Sequence, residues 1–156
     1  MHPSASSRRA VVAAPLIGAL LLIGCGGSEA SPQIAPLTFS GPASETVTAA
    51  DGAVTIAVRW SWSPPVVGYD AGELTLTDAN GAPMSGYTLS VVPWMPAHGH
   101  GASVAPTVNE TSPGVYVAAP LDFYMSGNWQ LLTTITGPAD AAAAFHDSAQ
   151  PSVDIP

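Results

Sequence analysis

Basic residues, charge of either sign and cysteine are all scarce in this sequence. Its 156 residues include 3 Lys and Arg against 11 Asp and Glu, so it lacks the basic surface with which nucleic-acid-binding proteins contact phosphates. The single cysteine excludes an internal disulfide and a cysteine-based zinc cluster. The GxSxG, HExxH and glycine-rich phosphate-loop motifs are missing, and the acids are scattered. We therefore expect no nucleic-acid partner and no enzymatic activity.

The residues that are abundant point to β-structure. The chain contains 15 Gly and 16 Pro, and 47% of its residues are hydrophobic, which argues against a disordered acidic chain. From Val54 to Trp62, large apolar side chains alternate with smaller or polar ones, which predicts a half-buried strand. About seven such segments, with turn signals about every 8–12 residues, favour an all-β immunoglobulin-like antiparallel β-sandwich. The last, weak strand is predicted at Ser152–Ile155, and residues 139–145 are marginal as a helix.

A predicted targeting segment precedes this pattern. Residues 10–24 are uncharged and apolar, and they are too few for a membrane-spanning helix, which needs about 20 residues. They end in Leu22-Ile23-Gly24-Cys25, which resembles the bacterial lipobox. The resemblance implies a lipid on the Cys25 thiol and cleavage of the Gly24–Cys25 bond, so residues 1–24 are predicted to be a lipoprotein signal peptide. An ordinary secretory signal and an uncleaved anchor are the alternatives.

A lipid anchor predicts a protein held on the cell envelope, facing the periplasm or the surface. Residues 25–45 are small, polar and broken by proline, as is typical of a tether, and residues 46–156 are predicted to form the folded domain. Gly26 stands where an Asp signals retention in the inner membrane, which weakly favours the outer membrane. Arg59 is the only Lys or Arg from Cys25 onward, so the anchored chain has a formal charge of about −10 and attracts cations.

Two of the four histidines are separated by a single glycine. On an extended backbone the side chains of His98 and His100 point to the same side, so both imidazoles could face one ion. Imidazole nitrogen suits copper, zinc and nickel, and thioether sulfur favours Cu(I), so Met95 and Met125 make the set copper-leaning. The alternatives are an exposed turn without a ligand, methionines that fill the core, and a three-histidine zinc site that adds His146.

Three short motifs follow one another in a fixed order: Met95-Pro96 with His98-Gly99, then Pro113-Gly114 with Val115-Tyr116, then Met125, Gly127 and Trp129. Their order and spacing resemble the YtkA-like domain, which is related to FixH-type proteins. The resemblance covers about residues 46–137 and implies a β-sandwich exported to the cell envelope. Some relatives are associated with copper handling or with the assembly of terminal oxidases. This chain has Ala97 where many members have methionine.

Two functional hypotheses follow from these observations. The first is a non-enzymatic envelope lipoprotein, anchored to a membrane by its lipid, that binds or delivers copper. Its candidate ligands, and the aromatic side chain expected to cover them, are His98, His100, Met95, Met125 and Trp94. The second is a structural or protein-interaction module without a metal, which docks on an envelope complex. The two differ in whether folding brings the imidazoles and a thioether to a common point.

Overall fold

Ten β-strands make up the described part of the chain, residues 36–138 and 145–156 of a computed structural model. These residues form no helix, and so none with the length and apolar character that crossing a bilayer requires. The predicted signal peptide, the Gly24–Cys25 bond and most of the predicted marginal helix lie outside them. The strands are β1 (Glu45–Thr48), β2 (Val54–Trp60), β3 (Gly68–Asp78), β4 (Thr88–Met95), β5 (His100–Gly101), β6 (Thr107–Ser112), β7 (Val115–Phe123), β8 (Gly127–Thr136), β9 (His146–Ala149) and β10 (Ser152–Ile155).

The strands form two antiparallel sheets. The first sheet has the order β1-β2-β3-β7-β6, and the second has the order β10-β8-β4-β5 with β9 also paired to β8. Each sheet buries one face against the other, which is the architecture of a β-sandwich. The predicted all-β antiparallel sandwich is therefore confirmed.

The structure contains three short strands that the sequence pattern did not predict. They are β1, β5 and β9, which have two to four residues each. A period of two cannot be recognised over so few residues, and each of these strands pairs with a longer neighbour. The predicted strand Ser152–Ile155 is present with the same bounds, as β10.

The alternation predicted from Val54 holds only as far as Trp60. Along β2, buried and partly exposed side chains alternate at every position, and Trp60 is buried at its end. Trp62 was predicted on the same buried face, but it is 63% exposed because the strand ends before it. The chain leaves the sheet at Ser61, so the period of two no longer determines which side chains face the core.

Aromatic side chains from both sheets meet in the middle of the sandwich. Phe123 of β7 contacts Trp60 of β2, with ring centroids 5.9 Å apart, and Trp129 of β8, with ring centroids 5.6 Å apart. Both pairs have the edge-to-face geometry that aromatic rings favour. Each fully buried side chain of this size stabilises the fold by about 1.5–3 kcal/mol relative to an exposed one. The prediction that Trp60 and Trp129 belong to the core is confirmed.

Several connections gather at one end of the sandwich. There β2, β4 and β7 end, β3 and β8 begin, and the chain enters β1. The same end carries the β2–β3 loop (residues 61–67), the β4–β5 turn (residues 96–99) and the β7–β8 loop (residues 124–126). We call this the His-loop end, because the turn 96–99 contains His98 and leads into His100.

A buried tyrosine fixes the connection between the sheets at the opposite end. The Tyr116 hydroxyl donates a hydrogen bond to the Met84 carbonyl (2.9 Å) and accepts one from the Tyr87 amide (3.0 Å). Burial raises the pKa of Tyr116 above its ordinary value of 10.0. The hydroxyl therefore stays protonated and holds the backbone that runs from β3 to β4.

Tyr116→Phe removes this hydroxyl and leaves a carbonyl and an amide without partners. We expect the free energy of unfolding to fall by about 1–3 kcal/mol, the cost of unsatisfied buried polar groups. Urea denaturation followed by tryptophan fluorescence measures the change. Tyr69→Phe is the matched control, because the Tyr69 side chain is exposed and its change should be near zero. Equal effects of the two substitutions would contradict this account.

An exposed carboxylate joins two turns at the same end as Tyr116. Glu110 accepts hydrogen bonds from the backbone amides of Gly86 and Gly114, both at 2.9 Å. The Ser85 hydroxyl, followed by these two amides, lowers the pKa of Glu110 below its ordinary value of 4.5. A carboxyl group whose pKa is lowered by folding stabilises the fold above its unfolded pKa, and this stabilisation is lost as pH falls through the folded pKa.

Glu110→Gln is therefore expected to destabilise the protein at neutral pH, and the difference from wild type should shrink as pH falls below about 4.5, where the wild-type carboxyl becomes protonated. Urea midpoints measured from pH 7 to pH 3 give the comparison. The variant should keep some acid sensitivity, because the Ala82 and Asn80 amides also lower the pKa of Asp78. A difference between the two proteins that does not change with pH would contradict the proposed cause.

Candidate functional site at the His-loop end

A tight turn connects β4 to β5 and carries the two histidines. The amides of His98 and Gly99 both donate to the Met95 carbonyl, at 3.1 and 3.0 Å, and Gly99 has a φ of +69°, which favours glycine. Met95 then pairs with His100 across the β4–β5 ladder. His98 lies exposed in the turn, and His100 lies half-buried in the strand.

The turn brings the two imidazoles together. The ring centroids of His98 and His100 are 5.5 Å apart, and the ring planes are inclined by 44°. The sequence predicted their proximity from an extended backbone, which is wrong, because Gly99 is in a left-handed turn conformation. The rings are neighbours because the chain reverses between them.

The glycines of this segment serve the backbone and do not clear space for an ion. A Cβ on Gly101 would lie 2.8 Å from the Pro93 carbonyl oxygen, which accepts a hydrogen bond from the Ala102 amide at 3.0 Å. A Cβ on Gly99 would meet nothing within 4 Å, so only its dihedral angle requires glycine. Gly101 thus lets β5 approach β4 closely enough to hold His100 in place.

A tyrosine that sequence reasoning did not select contacts His100. The Tyr124 hydroxyl oxygen lies 2.5 Å from His100 Nδ1, and the two rings stack with centroids 5.7 Å apart and planes inclined by 24°. With the proton on Nδ1, His100 donates to Tyr124 and keeps its lone pair on Nε2, the arrangement that orients metal-binding histidines; with the proton on Nε2, the Tyr124 hydroxyl donates to Nδ1. Tyr124 lies 24 residues away in the sequence, so no local spacing could have indicated the contact.

The core holds the loop that carries Tyr124. The Trp129 indole N–H donates to the Met125 carbonyl at 3.0 Å, and the Tyr124 and Trp129 rings meet edge to face at 5.3 Å. Because Trp129 is fully buried, these contacts fix the β7–β8 loop to the centre of the sandwich. His100 is thereby linked to the core through Tyr124.

The two candidate methionines contact the core. Met95 is 1% exposed, and its methyl group is so close to β8 that a Cβ on Gly127 would lie 2.7 Å from it. Met125 is half-buried and packs against the same core cluster. Of the four candidate donors, His98 is exposed, His100 and Met125 are half-buried, and Met95 is buried. No group of three or more His, Cys, Asp and Glu placed to hold a metal occurs among the described residues.

His146 lies at the far end of the sandwich. It is exposed at the start of β9 and pairs with Thr136, the last residue of β8, whereas the His-loop end adjoins Gly127, the first. The ten residues of β8 extend over about 30 Å. The alternative prediction of a zinc site that combines His146 with His98 and His100 is therefore wrong, because His146 is too far from the other two.

Acidic residues greatly outnumber basic ones in the part of the chain that carries the site. Arg59, the only Lys or Arg from Cys25 onward, pairs with Glu73 at 2.8 Å on the outer face of the first sheet. This leaves no other Lys or Arg after Cys25 to balance the remaining carboxylates. The described domain accordingly has a field that attracts cations.

These features define a small antiparallel β-sandwich with an exposed imidazole pair at one end. The sequence model of a family described as YtkA-like matches residues 48–134, more than half of the chain. The chain therefore belongs to the YtkA-like family and is a small β domain of this envelope-associated family. The match includes His98, His100 and Tyr124. No curated protein and no solved structure matches the chain.

Tyr124→Phe is expected to release the His100 ring without unfolding the domain, because the phenyl ring keeps the packing on Trp129. In the wild-type protein His100 should carry its proton on Nδ1, and in the variant it should become a mixture of both tautomers. Long-range proton–nitrogen NMR spectra of the imidazoles report the tautomer directly. His98 is the internal control, and an unchanged His100 spectrum would contradict the role of the hydroxyl.

Proposed function

We propose that this protein is a non-enzymatic lipoprotein of the cell envelope that binds a copper ion at the His-loop end and delivers it to a partner. The observation that carries the proposal is the exposed imidazole pair, with ring centroids 5.5 Å apart and His100 oriented by Tyr124. In this proposal the signal peptide of residues 1–24 directs export and is cleaved off, and a lipid on Cys25 holds the protein on the membrane, the outer membrane being favoured by Gly26.

The chemistry of the donors fits a cargo ion. Two neutral imidazoles suit Cu(II), and they also suit zinc and nickel, whereas the thioethers of Met95 and Met125 suit Cu(I). His98 and His100 are neighbouring donors with centroids 5.5 Å apart, so in this proposal they receive the ion, and the acidic charge of the domain raises its local concentration. Two protein ligands leave coordination positions open for water or for a partner's side chain, as a protein that passes an ion onward needs.

His98→Ala/His100→Ala is expected to lower the affinity for Cu(II) by about 100-fold or more, since both nitrogen ligands are lost. The protein purified from membranes is titrated with Cu(II), and separately with Cu(I) under reducing conditions, with tryptophan fluorescence as the signal. Trp129 is a suitable reporter because it contacts Tyr124, the neighbour of His100. His146→Ala is the matched control and should bind copper as the wild-type protein does.

The methionines give a second arm to this titration. Met125→Leu and Met95→Leu should lower the affinity for Cu(I) and leave that for Cu(II) unchanged if either thioether binds the ion. Equal copper binding by the wild-type protein and the double histidine variant would reject the site. An absence of copper binding by the wild-type protein would leave the interaction module without a metal as the function of the domain.

A further inference from the structure

Exposed apolar side chains concentrate in the connection between β2 and β3. Trp62 is 63% exposed, Val66 48% and Val67 47% in this loop, and Tyr69, the second residue of β3, is 66% exposed; we call residues 62–69 the apolar loop. Single exposed apolar residues are normal on a protein surface, but a contiguous group marks a site of interaction with a protein or a membrane. The copper proposal does not use this loop.

The apolar loop is held in place by the domain beneath it. The buried carboxylate of Asp70 accepts hydrogen bonds from the Ser61 hydroxyl (2.5 Å) and from the amides of Trp62 (3.2 Å) and Ala71 (2.7 Å). Trp60, which precedes the loop, is buried in the core. Buried hydrogen bonds thus fix the backbone of a loop whose large apolar side chains are exposed to water.

The chain from the candidate lipid anchor passes this loop as it enters β1, after Leu37 and Phe39 have lined a cleft with residues of the first sheet. Ser44 and Glu45, at the start of β1, line a cleft of about 560 Å³ together with Ser63, Pro64 and Pro65 of the loop. About 20 residues separate Cys25 from Ser44, which reach at most about 70 Å when fully extended. A lipid on Cys25 therefore keeps the apolar loop within reach of the membrane.

The composition of the apolar loop and the charge around it indicate what kind of surface the loop can bind. Trp and Tyr combine an apolar ring with a polar N–H or O–H, and both are enriched where membranes meet water. The only nearby source of positive charge, Arg59, is paired with Glu73, so anionic lipids and acidic proteins find no cationic partner. A second copy of the domain would bring the same acidic charge and is disfavoured for that reason. A zwitterionic lipid surface needs no cation.

We propose that the apolar loop docks on the surface of the membrane that carries the lipid anchor, with Trp62, Val66 and Val67 inserted among zwitterionic headgroups. The proposal rests on the lipid anchor of the proposed function and is independent of copper. Docking orients the domain, because the loop lies at the His-loop end, and it turns the imidazole pair toward the membrane. The partner that exchanges copper is then one that presents its site close to the bilayer.

The test places the lipidated full-length protein in phosphatidylcholine vesicles whose acyl chains are brominated, since bromine quenches only tryptophans that enter the bilayer. The emission of Trp62 is the difference between the wild-type protein and Trp62→Phe. We expect this emission to be strongly quenched. Val66→Ser/Val67→Ser should weaken the docking equilibrium by about tenfold, because two apolar side chains are lost. Val92→Ser, a substitution of an exposed valine on β4, is the matched control and should change nothing.

Each other result overturns the proposal. Unquenched Trp62 emission that aqueous iodide reduces shows a loop that stays in water. Emission that neither bromine nor iodide reduces shows a loop covered by protein, such as a second copy of the chain. Mass spectrometry of the same sample reports the lipid on Cys25. If the chain carries no lipid, the anchor and the docking proposal are both rejected. If the chain is lipidated but binds no copper, the copper proposal is rejected and Trp62 quenching still decides the docking proposal.

Discussion

The burial of Trp129 between the two sheets is the interaction on which the His-loop end depends. The indole ring packs on Phe123, so its place is set by the pairing of β8 in one sheet and β7 in the other. From that position its N–H donates to the Met125 carbonyl and its ring meets that of Tyr124 edge to face. The His100 ring then stacks on Tyr124. A side chain in the core thus positions an exposed imidazole through two contacts.

The same end of the sandwich combines two surfaces of opposite chemistry. The imidazole pair is polar and lies in an acidic field, and the apolar loop exposes aromatic and aliphatic side chains. Each is held by a hydrogen bond to the domain: the His100 ring contacts the Tyr124 hydroxyl, and the start of the apolar loop is bonded to the buried Asp70 carboxylate. At the far end, Tyr116 and Glu110 use their polar atoms to close turns. Both proposals made above therefore place the function of the sandwich at its His-loop end.

Much of the fold could be predicted because a long strand shows an alternation of apolar and polar side chains with a period of two. The β2 alternation, the core positions of Trp60 and Trp129 and the strand Ser152–Ile155 all follow from local pattern. The short strands β1, β5 and β9 could not be predicted, since two to four residues are too few to show a period of two and each strand is defined by its pairing with a longer one. Trp62 shows the limit most clearly, because the same alternation that buries Trp60 continues past the residue where the strand ends.

For the candidate site, the sequence by itself determined the donors: two histidines one glycine apart, two methionines, a single cysteine and a surplus of acids. Only the tertiary structure decided their surroundings. It placed the Met95 side chain in the core, His146 at the far end and Tyr124 on His100. The physical reason is that donor chemistry belongs to single residues, whereas burial and contact belong to the packing of two sheets, which joins residues that no spacing in the chain relates.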